Sequence, residues 1–156
     1  MIKAFDDIKK EVLQYLFERY MESATGHYSI SHIVDAYEVS GEDIINILKQ
    51  DNLIQEGVAD ILPTTYAITI EGINEVEPDY FADRLASIMN ELGLSNTEWV
   101  NVSEVTGIHD YQRVQDIGTV LSLTEYFEII AKPEDVMAKL TTQGWAYFEQ
   151  HRKEFI

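Results

Sequence analysis

Apolar residues recur at three- and four-residue spacing near the start of each half of the chain. This spacing places them on one face of a helix, so each stretch predicts an amphipathic helix. Gly93, which follows the second stretch, is expected to act as its C-terminal cap. The apolar stripes comprise Phe5, Ile8, Val12, Leu16 and Tyr20 in the first half, and Phe81, Leu85, Ile88 and Leu92 in the second.

The rest of the first half predicts a strand stub, two helices, a hairpin and a last helix. Alternation at 28–30 indicates the stub, and Ser31 is expected to cap a short helix through Tyr37. Ser40-Gly41 begins a third helix, whose buried face is expected to comprise Ile44, Ile45, Ile47 and Leu48. Residues 53–55 and 66–68 indicate paired strands around loop 56–65, and Thr69 caps the helix that follows.

The second half repeats this order of elements. Residues 100–102 indicate the stub, and Ser103 and Asp110 are expected to cap the second and third helices. Residues 126–130 and 136–140 predict hairpin strands joined by a turn at 132–135. Thr141 caps a final helix whose Trp145 and Phe148 are expected in the core.

Separated stretches of the two halves also agree residue by residue. Residues 68–72 match 140–144 and residues 30–33 match 102–105, both at an offset of 72, while 42–44 match 115–117 at 73. Such self-similarity indicates a duplicated unit. Pro78 suits a joint between units, so we predict one domain at 1–78 and another at 79–156.

Each half resembles a winged-helix domain, a helix-turn-helix followed by a β-hairpin wing. The resemblance rests on the Ser31 and Ser103 caps, the helix starts at Ser40-Gly41 and Asp110, and the Thr-x-x-Gly segments at 69–72 and 141–144. It implies a mainly α fold with small β-hairpins (α+β), arranged as tandem winged-helix domains. It also implies a third helix that enters the DNA major groove and a wing that touches phosphate.

The charge of the chain conflicts with that use. It carries 11 Lys and Arg against 28 Asp and Glu, a net charge of −17, and both halves are acidic. In the first copy, the third helix and wing present a predicted acidic docking face made of Glu42, Asp43, Glu56 and Asp60. Phosphate would be repelled there. A protein partner with a basic surface would be attracted.

The corresponding surface of the second copy is more compatible with DNA binding. Its third helix and wing offer side chains that can bond base edges or phosphate. A homo-oligomer also stays open, since each edge of a small wing can pair with another chain. The candidate contacts to DNA or a partner are Tyr111, Gln112, Arg113, Gln115, Thr119, Lys132 and Lys139.

The sequence contains few features that would indicate a catalytic site or a metal site. There is no cysteine, no Gly-rich phosphate loop, and no pair of histidines at helical ligand spacing. We therefore expect a non-enzyme without metal or cofactor. The absence of a long apolar run and of a basic start followed by an apolar stretch predicts a cytoplasmic protein with no membrane partner.

These observations favour an acidic protein-interaction or adapter module. Acidic tandem winged-helix subunits of chromosome-condensing complexes are a family of that kind, similar at the level of fold. The alternative is a transcriptional regulator that reads DNA through the third helix and wing of the second domain. A third functional class is a DNA mimic that occupies a DNA-binding protein. The acidic charge is consistent with it, but no particular residue position supports it.

Overall fold

The computed structural model describes residues 2–36, 41–57 and 64–154. These residues form a mixed α+β fold, about 60% helical, with eight α-helices and two small antiparallel sheets. The chain divides into two compact units, Met1–Pro78 and Asp79–Ile156. The division falls after Pro78, where the sequence repeat begins again.

The first unit runs helix, helix, helix, hairpin, helix. Strands β1 and β2 pair antiparallel with Ile54 opposite Ile68. Tyr28 forms an isolated bridge to Tyr66, so the expected strand stub is one bridge long. The elements are α1 (Ile2–Glu22), α2 (Ser31–Val34), α3 (Gly41–Gln50), β1 (Ile54–Glu56), β2 (Tyr66–Ile68) and α4 (Ile70–Val76).

The second unit has the same order with a longer β-hairpin, and we use the word wing only as a name for the hairpin of each unit. Its three strands lie in the order β3-β5-β4, so β4 is an edge strand, and a two-residue turn joins β4 to β5. A 3-10 turn at Arg152–Glu154 follows the last helix. The elements are α5 (Asp79–Leu94), β3 (Val100–Asn101), α6 (Val102–Thr106), α7 (Tyr111–Ser122), β4 (Phe127–Lys132), β5 (Asp135–Leu140) and α8 (Thr142–Gln150).

Each unit has an apolar core formed by its helical stripes and the inner face of its hairpin. Burial removes these side chains from water, which is the main favourable contribution to folding. Ile47 was expected in the first core but is 40% exposed. It lies roughly 100° around the helix from Leu48, which turns it toward solvent. The completely or almost completely buried side chains include Ile8, Val12, Leu16, Leu48 and Ile73 in the first unit, and Ile88, Leu92, Ile117, Leu121 and Phe148 in the second.

The junction between hairpin and last helix is the same in both units. Thr69 Oγ1 accepts a hydrogen bond from Gly72 N at 3.0 Å, and Thr141 Oγ1 accepts one from Gly144 N at 3.0 Å. Both threonines are N-caps, as predicted. Each hydroxyl also donates to a backbone carbonyl at 2.6 Å, that of Asn52 in the first unit and that of Glu125 in the second.

The glycine of each junction permits a close backbone approach. A Cβ on Gly72 would collide with the carbonyl oxygen of Leu53, and a Cβ on Gly144 would collide with that of Tyr126. The repeated Thr-x-x-Gly therefore fixes both a helix cap and the tight packing of that helix against the preceding chain.

Three predicted caps are wrong. Helix α2 begins at Ser31 itself and α6 begins at Val102, and neither has a side-chain N-cap bond. Gly93 lies inside α5, where the ring of Phe148 packs against it, and the helix continues to Leu94. Asp110 does cap α7, as predicted, by accepting hydrogen bonds from Gln112 N and Arg113 N. The expected start at Ser40 lies outside the described residues.

Ser103 has a different role from the one predicted. Its hydroxyl donates to Asp135 Oδ2 at 2.6 Å, and its amide donates to Asp135 Oδ1 at 3.2 Å. Asp135 thus supplies the carboxylate that satisfies an amide in the first turn of α6. A residue of the wing performs the capping that the sequence assigned to the serine.

Candidate functional site

Each unit has a groove between its third helix and its wing. The first-unit groove has a volume of about 360 Å³ and lies between α2, α3, Glu56 and Tyr66. The second-unit groove has a volume of about 350 Å³ and lies between α7 and the inner face of β4 and β5. We call them the first groove and the second groove.

The two grooves are built from corresponding positions of the sequence repeat. Four positions on the third helix that line the first groove recur in the second groove at the 73-residue offset. One position on the first strand of the hairpin recurs at the same offset. The site is therefore part of the repeated architecture. The corresponding pairs are Glu42 and Gln115, Ile45 and Gly118, Asn46 and Thr119, Lys49 and Ser122, and Glu56 and Ile129.

The chemistry of the two grooves differs although their positions correspond. Glu42, Lys49 and Glu56 give the first groove charged walls. Their counterparts in the second groove are neutral, and Gly118 and Ile129 make that groove partly apolar. The two sites accordingly suit ligands of different character.

An ion pair crosses the mouth of the first groove from α3 to β1. Lys49 Nζ lies 2.6 Å from Glu56 Oε1. This hydrogen bond raises the pKa of Lys49, and burial raises the pKa of the neighbouring Tyr66 hydroxyl. Glu56 therefore takes part in an ion pair within the unit. Glu42 and Asp43 are exposed at the start of α3. Asp60, the fourth predicted member of the acidic docking face, lies outside the described residues.

Arg113, a predicted contact to DNA or a partner, is half-buried and bonds within its own unit. Its Nε and Nη2 donate to the hydroxyl of Tyr80 at 3.1 and 2.8 Å. Tyr80 is 4% exposed, and the guanidinium of Arg84 lies over its ring, with the guanidinium carbon 4.2 Å from the ring centroid. Both arginines thus help to pack α7 and α5 around one tyrosine.

The remaining candidates on α7 bond mostly to one another. Gln115 Nε2 donates to the hydroxyl of Tyr111 at 2.8 Å, and that hydroxyl donates to the carbonyl of Lys132 at 3.1 Å. Gln112 Nε2 donates to Asp116 Oδ1 at 3.0 Å. Tyr111, Gln115 and Lys132 form one cluster at the end of the wing.

Lys139 lies on the wing but is paired within its own sheet. Its Nζ is 3.3 Å from Glu128 Oε2 on β4 and 5.1 Å from the ring centroid of Trp99. Thr119 is exposed on α7, and its hydroxyl donates to the carbonyl of Gln115. Arg113 and Lys139, the two cationic candidates with described partners, therefore each bond within the second unit, to Tyr80 on α5 and to Glu128 on β4.

Most cationic side chains that the structure describes have an acidic or aromatic partner inside their own unit. This leaves the acidic surface with little compensating positive charge for a phosphate to meet. The paired cations are Lys9 with Glu75, Arg19 with Glu22, Lys49 with Glu56, Arg84 and Arg113 with Tyr80, Lys139 with Glu128, and Arg152 with Glu149.

No group of three or more His, Asp or Glu side chains capable of holding a metal ion occurs among residues 2–36, 41–57 and 64–154. His32 packs edge-on against the ring of Tyr15, with centroids 4.7 Å apart. His151 stacks on Tyr147, and its Nδ1 lies 2.9 Å from the Tyr147 carbonyl oxygen. These two histidines have local packing partners.

Sequence reasoning missed Tyr80 and Asp135, the partners of Arg113 and Ser103. Each lies more than 30 residues from the side chain it bonds. Periodicity identifies buried faces but not which distant polar groups meet. Trp145, expected in the core with Phe148, is only partly buried, while Phe148 is completely buried.

No helix in the described part of the chain combines the length and apolar character needed to span a membrane. No protein-family model, no curated protein sequence and no solved structure matches the chain.

Proposed function

We propose that this chain is a non-enzymatic adapter made of two tandem winged-helix domains, which dock protein partners through their third helices and wings. The fold proposal is supported by the repeated order of elements. It is further supported by the matching Thr-x-x-Gly junctions, in which both threonine hydroxyls make the same two hydrogen bonds.

The observation that carries the functional proposal is the placement of Arg113. A DNA-reading third helix needs cations that reach phosphate or base edges. Arg113 instead donates both of its described hydrogen bonds to buried Tyr80, and Lys139 pairs with Glu128. With a net charge of −17, the protein repels polyanions more strongly than these few side chains can offset.

The partner of the first unit is a protein with a basic surface. Glu42 and Asp43 are exposed side by side at the N-terminal end of α3, next to the first groove. Charge complementarity there increases the rate of association and selects against acidic partners. Salt should therefore weaken the complex, because exposed charges are screened over about 8 Å at physiological ionic strength.

Affinity purification of the tagged chain from extract of its own cells tests the proposal. We expect a stoichiometric protein partner whose retention falls as salt is raised. The variant Glu42→Lys/Asp43→Lys should lose that partner. The matched control Glu71→Lys/Glu77→Lys changes the charge equally at exposed positions of the same unit and should retain it. Circular dichroism checks that both variants keep their helical content.

Recovery of nucleic acid in place of a protein would contradict the adapter proposal. Equal retention of a partner by the two variants would contradict the assignment of the acidic face while leaving an adapter role that uses another surface. The two failures are distinguishable because the first is read from the captured material and the second from the variants.

The alternative function, a DNA-binding transcriptional regulator, is favoured by one cluster. Tyr111, Gln115 and Lys132 lie together where the third helix meets the wing of the second unit. Under this alternative, Lys132→Glu removes a phosphate contact and weakens duplex binding for every sequence. Under the adapter proposal, there is no duplex binding for it to weaken.

A further inference from the structure

The outer strand of the second-unit wing has an unusual combination of features. Strand β4 pairs with β5 on one side only, and no strand of residues 2–36, 41–57 or 64–154 pairs with its other edge. Ile130, in the middle of its exposed half, is 47% exposed. An edge strand presents unpaired backbone N–H and C=O groups that another strand can bond.

The charges on β4 are arranged symmetrically about Ile130. Glu128 lies two residues before it and Lys132 two residues after it, and both side chains are exposed. Glu128 is also 3.3 Å from Lys139 Nζ on β5, but it remains 58% exposed. Alternate residues of a strand share a face, so these two charges and Ile130 lie on the same side of the sheet. Ile129 and Ala131 lie on the other side, where they line the second groove.

We infer that β4 is a self-association site, at which two copies of this chain pair antiparallel through their β4 edges about a twofold axis at Ile130. In that register Ile130 meets its own copy, and Glu128 of each protomer lies opposite Lys132 of the other. Ile129 lies opposite Ala131. The interface is isologous, as a twofold dimer requires.

Charge complementarity selects this register. Among antiparallel pairings of β4 with itself, only the one centred on Ile130 places Glu128 opposite Lys132, and it does so twice. Directly opposed residues of opposite charge stabilise a strand pair, and like charges destabilise it. Charged residues on an edge ordinarily discourage pairing, but an acid and a base equally spaced about an apolar centre favour pairing with an identical strand.

The first unit lacks a corresponding edge in its described residues. Strand β1 is three residues long and ends at Glu56, which corresponds to Ile129. The inference therefore assigns the dimer to the second unit. It does not rest on the adapter proposal, because it depends only on the edge of β4 and its charges.

Sedimentation velocity on the intact chain at increasing concentration, at physiological ionic strength, tests the inference. Wild type should pass from monomer to dimer. Glu128→Lys and Lys132→Glu should each weaken the dimer at least about tenfold, because two opposite-charge pairs become two like-charge pairs. Glu128→Lys also loses the ion pair with Lys139 of its own sheet, so circular dichroism is used to check that both variants are folded. Glu104→Lys and Lys153→Glu, exposed elsewhere in the second unit, are matched charge controls and should dimerise like wild type.

Mixing the two weakened variants gives the decisive result. In the mixed dimer, position 128 of each protomer again faces a residue of opposite charge at position 132 of the other, so equimolar mixing should restore wild-type dimerisation. A variant weakened by misfolding cannot be repaired in this way. A wild-type chain that stays monomeric at every concentration would overturn the inference and leave the edge to a strand of another protein. Variants that stay monomeric when mixed would overturn it as well.

Discussion

The hydroxyl of Tyr80 accepts two hydrogen bonds from the guanidinium of Arg113, from Nε at 3.1 Å and from Nη2 at 2.8 Å. The tyrosine is on α5 and the arginine is on α7, so the pair connects the first and third helices of the second unit. Arg113 is the only lysine or arginine of α7, and its side chain is half-buried. The same guanidinium therefore takes part in the packing between these two helices.

Replacing Tyr80 with Phe should destabilise the protein. The ring remains, but the acceptor for two charged donors is lost in a partly buried place, which costs about 1–2 kcal/mol of unfolding free energy. Urea unfolding followed by circular dichroism measures it. Tyr111→Phe removes a hydroxyl from an exposed ring and should cost less than about 0.5 kcal/mol. Equal stability of Tyr80→Phe and wild type would show that the Arg113 contact contributes nothing.

The Thr-x-x-Gly junctions give a second prediction about stability. Thr141→Ala removes the cap of α8 and should cost about 1 kcal/mol, whereas Thr141→Ser keeps the hydroxyl and should cost less. Gly144→Ala should cost about 1–3 kcal/mol, because its Cβ would collide with a backbone carbonyl that must shift. Thermal or urea unfolding of the three variants checks the order. A Gly144→Ala protein as stable as wild type would refute the close packing.

Asp135 should be the most sensitive polar residue of the second wing. Its carboxylate accepts hydrogen bonds from the Ser103 amide, the Ser103 hydroxyl and its own neighbour Val136 N. Asp135→Ala leaves those donors without their acceptor and should cost about 2 kcal/mol. Ser103→Ala removes only the hydroxyl donor and should cost less, about 1 kcal/mol. The reverse order in equilibrium unfolding would contradict the assignment of Asp135 as the cap of α6.

The first unit should lose stability at alkaline pH because of Tyr66. Burial raises the pKa of this hydroxyl above its ordinary value of 10.0. The folded state then holds a proton that the unfolded chain releases, so the contribution is fully present below pH 10.0 and is lost as pH rises through the folded pKa. The hydrogen bond to Glu56 raises the pKa of Lys49 as well, so the contribution of Lys49 to stability is also lost at high pH.

Tyrosinate absorbance during alkaline titration measures this effect. The difference between wild type and Tyr66→Phe should show one tyrosine ionising above 10.0. The loss of unfolding free energy at high pH should also be smaller in Tyr66→Phe. A difference spectrum with its midpoint at or below the ordinary value would contradict the burial of this hydroxyl.

The sequence predicted the order of elements well because the cues were local. Thr69, Thr141 and Asp110 cap their helices as expected, since each bonds an amide two or three residues away. The apolar stripes of α1 and α5 are largely buried for the same reason: helical periodicity is a local property.

The sequence did not predict side-chain contacts between residues that are far apart along the chain. Ser103 was expected to cap α6, but α6 begins at Val102, so Ser103 lies inside the first turn and donates its amide and hydroxyl to the carboxylate of Asp135. Arg113 was predicted as a contact to DNA or a partner, and nothing in the sequence indicated its hydrogen bonds to Tyr80, which depend on the packing of α7 on α5. The similarity of the two grooves could have been read from the 73-residue offset, but their different chemistry required knowing which positions face the wing.

Binding to duplex DNA at low ionic strength distinguishes the adapter from the DNA-binding regulator. Besides their specific sites, DNA-binding proteins also bind other DNA sequences, with a Kd of about 10⁻⁴–10⁻⁶ M at physiological salt. The assay therefore does not need a known specific site. Fluorescence anisotropy with a mixed-sequence labelled duplex should show no saturable binding by this acidic chain. Micromolar binding that weakens steeply with added salt and is lost in Lys132→Glu would contradict the adapter account and establish the second unit as a DNA-binding domain.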